Sequence, residues 1–261
     1  MGELWTSQAS TVIKEAYKGV VGVIPARRGS QRVKRKNVKL LGGKPLVAWT
    51  FEEAKRVKRL DRLIVSTDDE EVKRLAEEYG VEVPFFPRPQ EICGDVDSGL
   101  VLQHAVKFLE GTGYEVKAVV LLQPTSPLRT SHDIENALFI FYDALSGDVG
   151  PAKRLYNGVI SLVRVKEHPA WLFRFRSGAG IESYLGFPMR FLSGATGQEL
   201  PKLYVPNGAI YVVSRDVALE GRVYGDRLAG YVMPRERSID LETEEDFKVA
   251  ECLLKVLEER V

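Results

Sequence analysis

Short, wholly apolar runs alternate along this chain with longer stretches whose apolar residues recur at helical spacing. Val20 to Ile24 is the first run, the pattern of a buried strand, and it breaks abruptly at Pro25. After the turn signal Leu40-Leu41-Gly42-Gly43-Lys44-Pro45, residues 46–58 place Leu46, Val47, Trp49, Thr50, Ala54 and Val57 as an amphipathic helix would. Arg62 to Asp68 reads as a second strand. An acidic helix follows from about Asp69 to Tyr79, with Thr67 or Asp68 as its cap and Gly80 as its stop. Val81 to Phe86 reads as a short third strand leading into Pro87-Arg88-Pro89. Asp95 to Ser98 precedes a helix whose apolar face carries Leu100, Val101, Ala105 and Phe108; His104, on or beside that face, reads as structural rather than catalytic. Val116 to Leu122 is a strongly apolar strand suited to the middle of a sheet, and a helix covers about 131–145.

Strand and helix alternating through residue 145 predict a three-layer α/β/α sandwich with a mostly parallel sheet. The texture then changes. Val159 to Val165 is another strand, but residues 166–206 are rich in Gly, Pro and aromatics without a regular period. A segment of that length is expected to be a lid, an arm or an oligomer contact rather than a linker. Ala209 to Ser214 and Tyr231 to Met233 read as later strands, and Thr243 as the cap of a final helix over about 244–259. Residues 1–19 form a leader with no assigned role. Residues 20–261 show no internal repeat or clear boundary and read as one domain, with 166–206 as its arm or lid.

Composition narrows the partners. Lys plus Arg number 37 and Asp plus Glu 36, for a net charge of +1. A general nucleic-acid binder carries a marked basic excess, which this chain lacks. Cys93 and Cys252 suggest neither a disulfide framework nor a zinc site, as expected of a reducing compartment. No apolar run reaches the roughly 18–20 residues of a membrane span. Val12-Ile13 is followed at once by Lys14 and Glu15, unlike a signal-peptide core. The expectation is a soluble, cytoplasmic protein.

The positive charge is local instead. Residues 26–37 hold six Arg or Lys, with Gly29 and Ser30 among them and only Ala26 and Val33 as aliphatic residues. A buried strand that spills into a basic loop with Gly and Ser is how α/β proteins build a seat for phosphates, beyond the carboxyl ends of the strands. A solvated basic loop or a nucleic-acid patch gives the same composition.

Separated stretches point in one direction. Ile24-Pro25-Ala26-Arg27 through Lys36-Asn37, Gly43-Lys44-Pro45-Leu46, Val65-Ser66-Thr67-Asp68, Arg88-Pro89, Leu121 to Arg129 (Leu-Leu-Gln-Pro-Thr-Ser-Pro-Leu-Arg), His168-Pro169, Pro206-Asn207-Gly208-Ala209-Ile210-Tyr211 and Ser238 to Thr243 occur in this order. Together they resemble the sialic-acid-type, or acylneuraminate, cytidylyltransferases from residue 20 to about 258. The resemblance implies a Rossmann-like nucleotidyltransferase fold. It also implies transfer of CMP from CTP to the anomeric hydroxyl of a nine-carbon 2-keto sugar acid, with release of pyrophosphate and use of Mg²⁺. Such an attack in line on the α-phosphate builds charge on the leaving oxygens, so cations, N–H donors and a metal are needed there.

By that resemblance Arg27 and Lys36 hold the triphosphate, Asn37 adds polar contacts, and Gly29 and Ser30 let the backbone approach the phosphates. Arg88 and the turn from Asp95 to Ser98 read base and ribose, while Gln123 and Asn207 face the sugar acid. Asp240 is the expected Mg²⁺ ligand, with Glu242 as a direct ligand, a ligand through water, or a cap of the next helix. Pro124, Pro127 and Gly208 read as turn-shaping, Lys34 and Arg35 as solvated charges, and Arg129 as structural. Thr67 and Asp68 read as helix caps or as groups at the nucleotide. The chain departs from the family's pattern at Arg28 (usually Gly), Gln31 (Lys), Lys34 (Pro), Val205 (often Arg) and Glu242, where the family has a second Asp. These departures leave open the identity of the sugar acid, a GTP-using relative, and a non-catalytic binding protein. A homodimer is implied, with the aromatic segment 166–200 (Trp171, Phe173, Phe175, Tyr184, Phe187, Phe191) reaching the partner.

Overall fold

The computed structural model describes residues 17–142, 156–188 and 200–258. Its centre is a six-stranded sheet of β1 (Val20–Pro25), β4 (Arg62–Ser66), β5 (Ala118–Leu121), β6 (Gly158–Arg164), β9 (Tyr204–Ser214) and β10 (Leu228–Val232). The spatial order is β10-β6-β9-β5-β1-β4. β1 pairs in parallel with β4 and with β5, β10 pairs in parallel with β6, and β9 runs antiparallel to β5 and β6. Two small hairpins accompany the sheet: β2 (Leu40–Leu41) with β3 (Lys44–Pro45), and β7 (Phe173–Phe175) with β8 (Ile181–Ser183).

The alternation of strand side chains divides the core in two. Val20 and Ile24 of β1 join Val65 and Val120 in one cluster, beneath α1 (Leu46–Lys55), α2 (Glu70–Glu78) and α4 (Ser131–Tyr142). Val21 and Val23 point the other way, toward α3 (Ser98–Gly111) and the short α5 (Arg215–Leu219). The expected three layers and mostly parallel sheet are therefore present. A third cluster joins Val33 of the basic loop, Leu41, Leu46, Leu128 and Leu241 to Phe247, Ala250 and Leu254 of α6 (Glu244–Glu258). Leu241 is fully buried there, which contributes about 1.5–3 kcal/mol to holding its segment in place.

Several elements differ from the expectation. Val81 to Phe86 forms only an isolated bridge, Ile64 to Glu82, because Pro84 interrupts the run and cannot donate to a ladder. Asp69, and not Thr67 or Asp68, caps α2 by accepting from the Glu71 N–H at 2.9 Å. β9 begins at Tyr204 rather than at residue 209, running through Pro206 and Gly208 with a register shift opposite Ile160–Leu162. A bulge of this kind hides the strand period. The aperiodic region contributes the β7–β8 hairpin and the start of β9; residues 189–199, with Phe191, lie outside the described residues, as do 1–16 of the leader and 143–145 of the fourth predicted helix. Thr243 does cap α6: its Oγ accepts from Asp246 N while the Asp246 carboxylate accepts from Thr243 N.

Candidate active site

In chain order, β1 is followed by β4 on one side of it and by β5 on the other, so the connections diverge between β1 and β5. A crevice beyond the carboxyl ends of two such strands is where open α/β sheets bind ligands. Here that crevice is a cavity of about 340 Å³, lined by Pro25 and Arg27 after β1 and by Gln123, Pro124 and Thr125 after β5. The loop residues Ser30, Gln31, Arg32, Lys36 and Asn37 form one wall. Arg88, Asp95 and Ser98 form the other, and Glu242 closes the rim.

The loop is held by its few aliphatic residues and by one charged anchor. Ala26 and Val33 are buried pins. Arg35 lies in the left-handed region (φ 53°), uncommon for a side chain of this size. Its guanidinium donates to Asp69 (3.1 Å) and Glu71 (2.8 Å) at the start of α2. Arg35 is thus an anchor and not the free surface charge its composition suggests. Thr67 donates to the Ala26 carbonyl, and Asp68 accepts from Arg28 N at 2.8 Å, so both brace this loop. Asn37 donates to the Arg27 carbonyl at 2.9 Å. Arg27 in turn reaches across the cavity to Asp95 at 3.0 Å.

Arg88 is 4% exposed, and its Nε and Nη1 are buried without an acceptor. A buried cation with open donors on a cavity wall is a place for an oxygen-bearing ligand. Behind it, the His104 ring packs edge-on to Phe85 at 4.5 Å, and burial together with the Arg88 charge lowers its pKa, in keeping with a structural histidine. Asp97 caps α3 by accepting from Gly99 N at 2.7 Å, directing the first turn of that helix, with Ser98, at the cavity.

Carboxylates gather on the opposite side. Burial raises the Asp240 pKa and the Glu242 charge adds to this, while a hydrogen bond from the Thr125 side chain and the Lys36 charge oppose it. Asp240 Oδ1 is buried with no hydrogen-bond partner. Lys36 does not bond to Asp240; its Nζ donates to the Leu241 carbonyl at 2.7 Å, and burial lowers its pKa against the pull of Asp240 and Glu242. Gly208 lies in the left-handed region (φ 77°), and a Cβ there would stand 3.2 Å from Gln123 Oε1 and 3.4 Å from Asp240 Oδ2. Gly208 lies within β9 and not in the turn its sequence context suggested, and the positive φ in the irregular part of the strand and the close approach both require this glycine.

Most of the residues expected at the site converge here: Arg27, Ser30, Lys36, Asn37, Arg88, Asp95, Ser98, Gln123 and Glu242 line the cavity, with Asp240 beside Gln123. Two do not reach it. Gly29 is exposed, and a Cβ there would meet nothing within 4 Å. Asn207 is turned inward: its Oδ1 accepts from Ser161 and Ala209 N, and its Nδ2 donates to Ser238 Oγ and lies 3.2 Å from Met233 Sδ. All its polar capacity is engaged within the protein. Glu242 pairs with Arg32 and does not cap α6 with its side chain. Arg129 is structural as expected: 1% exposed, it donates to the carbonyls of Gln123 and Ala209 and to Thr50 Oγ, and burial pushes its pKa down to about 10. Arg32 and Thr125 line the cavity although the sequence assigns them no role, and so does Gln31, marked in the sequence only as a departure from the family's pattern. The only signal for Arg32 and Thr125 was membership of the basic run and of the Gln-Pro-Thr-Ser-Pro motif.

The sequence profile of the Cytidylyltransferase family matches residues 21–157, which span the loop and both cavity walls. The chain belongs to the cytidylyltransferase family. This family member is 31% identical over 233 residues to an N-acylneuraminate cytidylyltransferase of Escherichia coli O18:K1:H7, covering 88% of the present chain and 51% of that relative, so it spans about half the relative's length. It is 28% identical over 244 residues to a CMP-N,N'-diacetyllegionaminic acid synthase of Legionella pneumophila, covering 92% and 98% of the two chains. Its fold is shared with a CMP:2-keto-3-deoxy-manno-octonic acid synthetase solved in complex with CTP (TM-score 0.61, 18% identity, covering 91% and 99%). A cytidylyltransferase needs a seat for a nucleoside triphosphate, and the cation-lined cavity of about 340 Å³ has that character. Among the described residues no helix is long and apolar enough to cross a membrane.

Proposed function

We propose that this cytidylyltransferase transfers CMP from CTP to the anomeric hydroxyl of a nine-carbon 2-keto sugar acid of the sialic, legionaminic or pseudaminic type. The single observation that carries the reading is the convergence of four cationic side chains, Arg27, Arg32, Lys36 and Arg88, with Gln123 and a carboxylate rim in one cavity at the strand switch point. Relatives named for sialic and legionaminic acid products support the acceptor class. In this scheme Arg27, Arg32 and Lys36 bind the triphosphate, and the open donors of Arg88 meet acceptor oxygens of the nucleoside. Gln123 orients the sugar acid. The hydroxyl oxygen forms its bond to the α-phosphorus as the bond to pyrophosphate breaks, and the fixed cations stabilise the charge that grows on the leaving oxygens.

Asp240 and Glu242 would hold the Mg²⁺ of this reaction. The fit rests on the buried, unpartnered Oδ1 of Asp240 and on an all-oxygen donor set, which suits a hard cation. Among the described residues no three His, Cys, Asp or Glu gather as a metal cage, so phosphate oxygens and water would complete the shell. The ion would neutralise charge on the phosphoryl oxygens.

The test is pyrophosphate release by the purified protein with Mg²⁺, each of CTP, GTP, UTP and ATP, and a panel of 2-keto sugar acids. Release with CTP and one sugar acid is expected. Release with GTP alone would overturn the base assignment, and nucleotide binding without release across the panel would overturn the enzymatic reading.

The working unit in this proposal is a cytoplasmic homodimer. Phe175 is 80% exposed on the β7–β8 hairpin, with Leu172, Phe173, Ile181, Tyr184 and Leu185 exposed around it, an apolar patch that suits burial against a second copy. Sedimentation at micromolar concentration is expected to give a dimer, and Phe175→Asp a monomer. A parent protein that sediments as a monomer counts against it. Recovery of the protein in the membrane fraction of its host would contradict the cytoplasmic placement.

A further inference from the structure

Asp240 stands between two anchors of unequal kind. Downstream, Leu241 is fixed by its buried side chain, by its N–H to the Thr125 carbonyl at 2.8 Å, and by Lys36 on its own carbonyl. Upstream, the chain passes through a single turn, Arg235–Arg237, and Ser238. That turn is tied to the body of the protein by Arg237. Its Nε donates to Asp133 Oδ2 at 3.0 Å and its Nη2 to Asp133 Oδ1 at 2.8 Å.

Asp133 is unusual in its own right. It is 0% exposed, sits in the first turn of α4, and accepts five hydrogen bonds. Besides the two from Arg237, Tyr231 Oη donates at 2.8 Å, and Thr130 donates from its N–H (2.9 Å) and Oγ (2.8 Å). Both carboxylate oxygens are therefore saturated. A fully saturated, bidentate carboxylate–guanidinium pair defines position and orientation together, more sharply than a single bond. Fold stability alone does not account for its placement, since buried pairs of this kind are often matched or exceeded by apolar replacements. Arg237 stands three residues before Asp240, which gives the pair another use. Ser238, the next residue, is bonded by Asn207, so consecutive side chains of the approach to Asp240 are held from two different elements.

We propose that Asp133, acting through Arg237, is a positioning residue for the metal-facing carboxylate of Asp240. The proposal rests on the reading of Asp240 as a metal-holding residue given above. It separates two functions of the cavity. Cation and nucleotide donors at Arg27, Lys36 and Arg88 are carried by other loops and do not depend on the Arg235–Arg237 turn. Loss of the pair leaves those donors in place and loosens Asp240 on its upstream side only.

The test uses the full chain in three forms: parent, Asp133→Asn and Arg237→Gln. Mn²⁺ binding in the presence of CTP, without sugar acid, is followed by the loss of the free-ion electron paramagnetic resonance signal. CTP binding in EDTA and the thermal midpoint are measured alongside. Outer-shell partners of metal ligands are typically worth about 10–100-fold in metal affinity. Both variants are therefore expected to weaken Mn²⁺ by about tenfold or more, with CTP binding in EDTA within about twofold of the parent. Arg237→Lys, which keeps a cation on Asp133, is expected to recover part of the loss. If Asp133→Asn does not fold, Arg237→Gln, at a partly exposed position, gives the same reading. Variants that bind Mn²⁺ like the parent overturn the proposal, and so do variants that lose CTP in EDTA as severely as Mn²⁺. A parent protein that binds CTP but no Mn²⁺ overturns instead the metal reading on which the proposal stands.

Discussion

Replacing Asp240 by Asn is expected to make the empty protein more stable and the enzyme nearly inactive. The ionised carboxylate is largely buried, its Oδ1 has no partner, and the nearest cation, Lys36, is bonded to a carbonyl instead. Burial accordingly raises its pKa. An isosteric amide removes the cost of keeping that charge out of water, a gain of about 0.5–2 kcal/mol by analogy with other relieved functional sites. At about 2–4 °C per kcal/mol for a domain of this size, the thermal midpoint in EDTA at pH 7 should rise by about 1–8 °C. The pH dependence follows from the sign of the shift. The native state holds the Asp240 proton more tightly than the unfolded chain, so this residue favours the folded state below the ordinary Asp range. That contribution is lost as pH rises through the raised native value. The advantage of the Asn variant should thus be full above the raised native value and fade as pH falls through it into the ordinary Asp range. Added Mg²⁺ and CTP should reverse the order, since saturation at 100 times Kd stabilises the parent by about 2.7 kcal/mol and the variant lacks the metal-dependent part. Pyrophosphate release should fall by about 10²–10³, the scale for removing one group that faces developing charge. Scanning fluorimetry over pH and a coupled pyrophosphate assay decide the matter. A variant that melts below the parent in EDTA, or that keeps turnover within tenfold, would refute the argument.

Two further changes probe the walls of the cavity. Arg88→Met removes the buried donors that have no acceptor in the protein; a hydrogen bond to a charged group is worth about 1.5–3 kcal/mol, so CTP affinity measured by calorimetry should drop about tenfold to a hundredfold. Unchanged affinity would remove Arg88 from the nucleotide site. Gly99→Ala would place a Cβ 1.9 Å from the Gly221 carbonyl oxygen, which a backbone atom can relieve only by moving α3. A loss of about 3 kcal/mol in urea unfolding is expected, and a loss under 1 kcal/mol would show that the helix and the 221 turn separate easily.

The order and kind of the main elements were legible because burial imposes a period. Val20 to Ile24 and the strand ending at Leu121 are apolar on both faces, as strands covered by helices on both sides must be. The site was legible in part because its residues come from the ends of those strands and the loops that follow: Arg27 after β1, Gln123 after β5, and Ser98 at the start of α3. What a linear reading misses is a contact made at a distance. Arg35 reads as one more loop cation, and only the approach of Asp69 and Glu71 makes it an anchor. Asn207 reads as a polar group beside a sugar, and only Ser161 and Ser238, from two other segments, turn it inward. Local spacing sets which face of a strand or helix a side chain occupies, and for this chain it determined the layers, the basic loop and the motifs that mark the family. Which cation meets which carboxylate depends on segments far apart in the chain, 34 residues between Arg35 and Asp69 and 104 between Asp133 and Arg237. Those pairings were decided only when the sheet brought the loops together, because hydrogen bonds and ion pairs act over a few ångströms and no period in the sequence records them.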